Sequence, residues 1–256
     1  MCFAAGPGSD NGALKHEGNS VMRTITLLAL GAAFLAVNAS AVTRYVSPDG
    51  SHTAPFTSWA TAATNIQPVV DAAAGGDVII VTDATYRVSA TLTINKGVTV
   101  QSVNGAATTL IDGRHVVLVV SINHADAVLD GFTVTNGYAS GAGGGVYFGA
   151  LGGTVRNAIV VDNETSTGGG VYFDGAGLVD RTIIHNNRAG NNGGGVFFDG
   201  GGTVTNTVIS SNTAGNHGGG IYLAGGGTAA KTVIENNTAS QQGGERSELR
   251  AVGEVL

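Results

Sequence analysis

Gly168-Gly169-Gly170-Val171-Tyr172-Phe173-Asp174-Gly175 returns 25 residues later as Gly193-Gly194-Gly195-Val196-Phe197-Phe198-Asp199-Gly200. The same frame opens at Gly143 and Gly218, and Gly243-Gly244 begins it a fifth time. Each full glycine run leads into an apolar triplet: Val146-Tyr147-Phe148, Val171-Tyr172-Phe173, Val196-Phe197-Phe198 and Ile221-Tyr222-Leu223. A Gly-rich turn follows, then a second β-branched segment: Ala158-Ile159-Val160, Ile183-Ile184, Val208-Ile209 and Val233-Ile234. An Asn closes each unit: Asn163, Asn187, Asn212 and Asn237. The first Asn step is 24 rather than 25, which places one extra residue in the turn around Gly152-Gly153, recovered before Gly168.

Three consecutive Gly would cost a helix roughly 3 kcal/mol relative to Ala. Short β-branched runs bounded by Gly and Asn read as strands, and a fixed period of this size reads as a repeat architecture. A β-sandwich with Gly-rich hairpins is the competing reading, but its strands and loops vary in length. The period therefore predicts an all-β parallel solenoid with two or three short strands per coil. Successive coils stack about 4.8 Å apart, so equivalent residues form columns. Val146, Val171, Val196 and Ile221 are expected as one inward aliphatic ladder, and Ile184, Ile209 and Ile234 as another. Asn163, Asn187, Asn212 and Asn237 are expected as an amide ladder at an inside turn, Asn being tolerant of the left-handed conformation. The Gly runs allow positive φ at a corner and close approach of coils.

Upstream the repeat loosens. Val98-Thr99-Val100, Thr109-Leu110-Ile111, 116–122, Val128-Leu129 and Phe132-Thr133-Val134 read as strands, with turns at Asn104-Gly105, Asp112-Gly113 and Asn136-Gly137. Ile66, Val69, Val70 and Ala73 fall at i, i+3, i+4 and i+7, the spacing of an amphipathic helix. Asn65 is placed to cap it, Pro68 lies in its first turn, and Gly75-Gly76 stops it. A solenoid end must be covered, so residues 42–77 read as an amino-terminal cap and 78–244 as the solenoid.

Composition narrows the function. The chain has 256 residues, 42 Gly, four Pro, 12% charged and 43% hydrophobic residues, and a net charge of −6. Pro is too scarce for collagen, and the apolar content argues against disorder. With no Lys/Arg-rich block, nucleic acid is excluded as a partner.

Residues 1–21 fit nothing downstream and read as a leader from a misassigned start. Met22-Arg23, the apolar run Thr24 to Val37, and Ala39-Ser40-Ala41 form a signal-peptide pattern over 22–41. The run is too short for a stable membrane span. The single Cys, Cys2, lies upstream of that cut, so the mature product is expected to carry no disulfide or Cys-based metal site. At the other end the fifth repeat breaks into Glu245-Arg246-Ser247-Glu248-Leu249-Arg250. Residues 245–256 read as a frameshift or truncation, or alternatively as a charged capping tail. If the break is artificial, the open last coil invites self-association.

Tyr45-Val46-Ser47, Asn65-Ile66-Gln67, 77–81, Thr85-Tyr86, Leu92-Thr93-Ile94 and Leu110-Ile111-Asp112-Gly113 resemble the entry of right-handed parallel β-helix proteins of the pectin-lyase-like superfamily. The later coils resemble the repeats of polymorphic outer-membrane proteins, which pair a Gly-Gly-aliphatic motif with Phe-x-x-Asn. Here Val160, Ile184, Ile209 and Ile234 stand at the Phe position, so that match is partial. Together the resemblance covers about residues 44–244. It implies a right-handed parallel β-helix with a short amino-terminal capping helix. It is weak for function, because this fold hosts lyases, hydrolases, esterases and adhesins alike.

Enzymes of that superfamily work with clustered carboxylates, often around Ca²⁺, and a basic residue. A glycosidic bond must be straddled by two carboxyl groups about 5–10 Å apart. Asp174 and Asp199 share a column, with Gly149 before and Ala224 after. They read as a Ca²⁺ or sugar contact, or as two Asp-Gly turns. His185 and Glu235 share another column with Ser210 between them. Arg156, Arg181 and Lys231 lie near the next turn, interrupted by Asn206, and could face an acidic glycan. His52, His115, His124 and His217 show no ligand spacing and read as surface residues. Phe56 and Trp59 are expected to staple the cap helix. The resulting expectation is an exported surface or secreted module binding a polysaccharide or another cell-surface component, with no cofactor and no catalysis. The alternative is a polysaccharide lyase or glycoside hydrolase.

Overall fold

A computed structural model describes residues 40–241, so the calls on 1–21, on most of the 22–41 signal peptide and on the 245–256 tail lie outside the described residues. The chain is a right-handed parallel β-solenoid built from four sheets. The eight-stranded sheet runs from Thr43–Val46 to Thr228–Ala230 and the seven-stranded sheet from Ala84–Arg87 to Val233–Glu235. The six-stranded sheet runs from Leu92–Ile94 to Ile221–Leu223, and the five-stranded sheet from Tyr138–Ala142 to Thr238–Ala239. From residue 128 onward each coil passes through the eight-, seven-, five- and six-stranded sheets in turn. Among the described residues no helix is long and apolar enough to cross a membrane.

The register is the one that the 25-residue step dictates. Val146, Val171, Val196 and Ile221 are consecutive rungs of the six-stranded sheet, and all four are buried. Two residues on, Phe148, Phe173 and Phe198 point the same way, stacked with centroids 4.8 and 4.7 Å apart. Burying each such ring contributes about 1.5–3 kcal/mol. Val134, Val160, Ile184, Ile209 and Ile234 form the facing ladder. The extra residue lies where expected. Thr154–Arg156 precedes Leu178–Asp180 by 24 positions, whereas the next two steps are 25.

Each position of the glycine run has its own cause. The first Gly adopts positive φ, from 62° to 70°. A Cβ on the second would stand 2.5 Å from a backbone carbonyl of the next coil, as at Gly169 against Gly194. The third is excluded by the same stacking, Gly170 against Gly195 at 2.7 Å.

The Asn ladder forms, but the left-handed corner is one residue earlier than expected. Asp162, Asn186, Ser211 and Asn236 hold φ of 54–56°. That bend turns the following Asn side chain inward. Asn187 Nδ2 donates to Asn212 Oδ1 at 3.0 Å and to the Val160 carbonyl at 2.9 Å, while Asn187 Oδ1 accepts from Asn163 N and Nδ2 at 3.1 and 2.9 Å. The amides thus satisfy the backbone where the chain leaves a sheet.

At the amino end the helix spans Gln67–Ala72, shorter than the apolar spacing suggests. Ile66, not Asn65, is its N-cap, and no side chain caps it. Pro68 occupies the first turn, where no N–H is needed. Ile66, Val69, Val70 and Ala73 are buried as read. The helix lies against Leu92–Ile94, the outermost strand of the six-stranded sheet. There the Gln67 amide accepts from Thr93 N at 2.7 Å and donates to Thr93 O at 3.2 Å, completing an edge that has no further strand. Lys96 Nζ donates to the carbonyls of Val70, Asp71 and Ala73 at 3.2, 2.7 and 3.0 Å, satisfying the helix's last acceptors. Asp77 accepts from Val42 N and Ala74 N and pairs with Arg44 Nε at 2.9 Å. Burial alone would raise its carboxyl, but these bonds together hold it below the usual carboxylate range.

Two smaller expectations change. In the 116–122 stretch only Val120–Ile122 is a strand, and Val116 is exposed. Phe56 joins the core beside the helix, whereas Trp59 stands outside it, against Tyr45 at 4.4 Å.

Candidate functional site

Side chains alternate across a strand. With the first and third residues of each triplet inside, the middle one faces out. Tyr147, Tyr172, Phe197 and Tyr222 therefore form an outward column on the six-stranded sheet, with centroid spacings of 5.4, 5.2 and 5.2 Å. The rings stack face to face and cover one another: Tyr172 and Phe197 are only 9% and 6% exposed, Tyr147 and Tyr222 are half-buried, and the carboxylates beside them are what reaches the surface. Reading each triplet as merely apolar misses this. The signal was present in the sequence as two periods, 2 and 25, acting on one aromatic position.

Asp174 and Asp199 follow their triplets and are exposed beside this column. Tyr172 Oη donates to Asp199 Oδ2 at 2.8 Å, one coil on. Burial first, then this carboxylate, pushes the Tyr172 hydroxyl well above the ordinary tyrosine range. Tyr147 stands in the same relation to Asp174, and burial and that carboxylate raise it too. Phe197 has no hydroxyl, and the next coil there carries Ala224 instead of Asp. For Tyr147, Tyr172 and Phe197 the phenol and its carboxylate are present together or absent together. Both Asp residues thus brace the coil stack, with oxygens left toward solvent. Calcium takes about six to eight oxygen ligands, and among the described residues no group of three or more His, Cys, Asp or Glu is gathered to hold a metal.

The basic residues are distributed differently from the sequence reading. Arg181, Asn206 and Lys231 share a left-handed corner with Asn157. Arg156 lies one residue earlier, on the strand, in register with Asp130 and Asp180. Arg156 Nε pairs with Asp130 at 2.9 Å, and Arg181 pairs with Asp180 at 2.8 Å while its Nε donates to Asn157 Oδ1 at 3.0 Å. Asn157 and Asn206 in turn donate to Asp130 and Asp180. This face is a self-neutralising polar ladder rather than an open basic strip.

His185, Ser210 and Glu235 do share a column, on the outer face of the seven-stranded sheet. Ile159, Ile183, Val208 and Val233 run beside them. His52 bonds Thr64, and His124 Nδ1 accepts from Asp126 N. His217 is not a plain surface residue: its ring stacks on Tyr222 at 6.3 Å, and its buried Nδ1 has no hydrogen-bond partner among the described residues. A separate open cleft of about 290 Å³ lies at the corner after the first strands of the eight-stranded sheet. Ser47, Asp49, Thr82, Asp83 and Asn104 line it.

The family described as "Right handed beta helix region" matches residues 80–239. Two crystal structures of the pectin methylesterase from Aspergillus niger are similar. The penultimately deglycosylated form shares 12% identity over 80% of this chain and 88% of that one, with a TM-score of 0.35. The deglycosylated form shares 14% over 83% and 91%, with a TM-score of 0.32. No curated protein matches the chain in sequence.

Proposed function

The chain belongs to the right-handed β-helix family, and on that premise we propose that it is an exported surface or secreted module that binds a polysaccharide without transforming it. The observation that carries this reading is the outward column Tyr147, Tyr172, Phe197 and Tyr222 with Asp174 and Asp199 at its side. The carboxylate oxygens of Asp174 and Asp199 are exposed one coil apart beside the half-buried Tyr147 and Tyr222, and such groups receive sugar hydroxyls. Two exposed carboxylates one coil apart repel a polyuronate, so the favoured ligand is an uncharged glycan. Export is argued from the 22–41 signal pattern alone.

Binding rather than chemistry is supported by how the charged groups are engaged. Asp199 holds a phenol, and Arg156 and Arg181 are tied to Asp130 and Asp180. An acid or base must be free to exchange its proton with the substrate. The test is affinity electrophoresis of the protein through gels of uncharged or uronate polysaccharide, with assays for unsaturated uronate and for new reducing ends. Retardation by an uncharged glycan, reduced about tenfold in Asp199→Ala, is expected, the order of one lost charge-assisted hydrogen bond. Turnover abolished by Asp174→Ala or Asp199→Ala would establish the lyase or hydrolase alternative instead.

A further inference from the structure

Each of the four sheets has an edge on its amino-terminal side, and three of these edges are occupied or broken. On the eight-stranded sheet, Tyr45 N donates to the Phe56 carbonyl at 2.8 Å and the Tyr45 carbonyl accepts from Ala63 N at 3.1 Å. On the six-stranded sheet, the Gln67 amide serves Thr93. On the five-stranded sheet, Tyr138 N is taken by the Val117 carbonyl at 2.8 Å, and the register shifts between Ala139 and Ala142, an irregularity that discourages pairing. The seven-stranded sheet differs. Its edge strand Ala84–Arg87 is regular over its whole length against Thr109–Asp112. Val88 N donates to the Asp112 carbonyl at 2.9 Å. Successive residues of a parallel strand bond to opposite sides, so Ala84 and Tyr86 bond into the sheet, while Thr85 and Arg87 turn N–H and C=O to the edge. Among the described residues no backbone group of the preceding coil meets them, and both residues are exposed. The Arg87 side chain leans toward Asp112 of the next coil, with Nε 3.7 Å from its carboxylate, and so away from the edge. The cause lies in the first coil. The chain leaves the eight-stranded sheet at Val46 and folds back, Ser47 N donating to the Ala63 carbonyl at 2.8 Å and His52 N to the Ala62 carbonyl at 2.9 Å. Every later coil lays a strand of the seven-stranded sheet at that point.

We propose that this edge receives an extended peptide of a partner protein as one more parallel strand, with a basic side chain at the peptide's leading end entering the cleft that holds Asp49 and Asp83. Residues 82–83 lead directly into Ala84–Arg87, so a parallel strand beside it starts at that cleft of about 290 Å³. Three successive coils line it: Ser47 and Asp49, then Thr82 and Asp83, then Asn104. Asp77, Asp112, Asp130 and Asp180 are each paired with an arginine, whereas among the described residues neither Asp49 nor Asp83 is. Asp83 accepts only from neutral groups, Asn104 Nδ2 at 2.9 Å and Thr109 Oγ1 at 3.5 Å. Burial, with the charges of Asp83 and Asp49 added, raises the Tyr86 hydroxyl despite its bond to Thr82. Two carboxylate charges are thus felt at the head of a bare edge, with no cation to offset them. In strand addition the main chain supplies affinity and side-chain pockets supply specificity. Here Thr85 and Arg87 offer the main-chain bonds, and the cleft selects positive charge. The proposal is independent of the glycan reading, since it uses neither Asp174 nor Asp199.

The probe is the peptide acetyl-Lys-Val-Thr-Val-Thr-amide, added to the full chain and followed by amide exchange and by fluorescence anisotropy of a labelled copy. Without peptide, the Thr85 and Arg87 amides should exchange at least tenfold faster than those of Ala84 and Tyr86. Peptide should slow them at least tenfold. Exchanging its Lys for Glu should weaken binding at least tenfold, and Asp49→Asn/Asp83→Asn should remove that preference without changing Tm. Thr85→Pro takes away an edge donor and no ladder bond, and should abolish binding. Thr85 and Arg87 amides already protected in the peptide-free chain, no slowing by peptide, equal binding of the Lys and Glu peptides, or undiminished binding by Thr85→Pro would each overturn the proposal. A dimer in light scattering that Thr85→Pro disperses would assign the edge to a second copy of this chain and overturn it equally. Exchange on the unmutated chain and the paired Asp variant decide the matter even if Thr85→Pro does not fold.

Discussion

Replacing Asn187 by Ala tests whether the amide ladder holds the coils together. Asn187 makes three kinds of contact: it donates through Nδ2 to Asn212 Oδ1 and to the Val160 and His185 carbonyls, donates through its own N–H to Asn212 Oδ1, and accepts from Asn163 N and Nδ2. The Ala variant keeps the backbone donor but removes every side-chain bond. Asn163 Nδ2 retains the Val134 carbonyl, whereas Asn163 N–H loses its side-chain acceptor at a site that water does not reach, Asn163 and Asn187 both being 1% exposed. An orphaned buried donor costs about 1–3 kcal/mol, and each further bond exchanged contributes about 1. The expected loss is about 3–5 kcal/mol. Asn237 bonds Asn212 and the Ile209 carbonyl in the same manner, but it is half-buried, so water replaces much of what Ala removes and the loss should be about 1–2 kcal/mol. Urea unfolding of both variants, followed by circular dichroism, measures the difference. Equal losses at the two positions, or a loss under about 1 kcal/mol at Asn187, would refute the claim that burial of the ladder is what gives it value.

Four further outcomes are expected. Gly194→Ala places a Cβ 2.5 Å from the Gly219 carbonyl and 2.6 Å from that of Thr213, and should cost more than about 3 kcal/mol or abolish folding. Gly201→Ala, whose nearest neighbour is 3.7 Å away, should stay within about 0.5 kcal/mol in the same melts. Asp77 has a depressed carboxyl. Its contribution is therefore fully present above the unfolded value of about 3.9 and lost as pH falls through the lower folded value. Asp77→Asn should accordingly flatten the fall in Tm between pH 5 and pH 2, and an unchanged fall would contradict the assignment. Asp199→Ala should lower the titration of Tyr172, followed by phenolate absorbance against a Tyr172→Phe control, while burial still holds it above the ordinary tyrosine range; no movement would mean that the carboxylate does not govern that phenol.

How much could be read in advance depends on which interactions repeat. The ladders of Val146, Val171, Val196 and Ile221 and of the four Asn residues were legible because stacking forces equivalent positions into one column, and periodicity reports columns directly. The one-residue error in the left-handed corner arose because Asn tolerates that conformation. Yet Asp162 and Ser211 adopt it where the geometry demands, and the Asn beside them is needed for its inward amide. Arg156 was misplaced by the extra residue near Gly152, which shifts the register seen by simple counting. The Tyr–Asp pairs run from one coil to the next, so neither residue carries a local sign of the other. Only the paired change to Phe197 and Ala224 hints at the link. The Asn65 cap failed because the chain enters that helix already turned at Ile66, leaving no extended residue from which a side chain could reach back.

The Gln67 amide makes the assembly directional. A flexible side chain has taken the place of an entire strand against Thr93, so the six-stranded sheet accepts no addition from its amino-terminal side. Length is then set from the opposite direction, one unit at a time. Removing an internal block such as 186–210 should yield a protein shorter by one rung with its start unaltered. In that sense the first coil is a fixed origin, and the chain from Leu178 onward is a ruler marked in steps of 25.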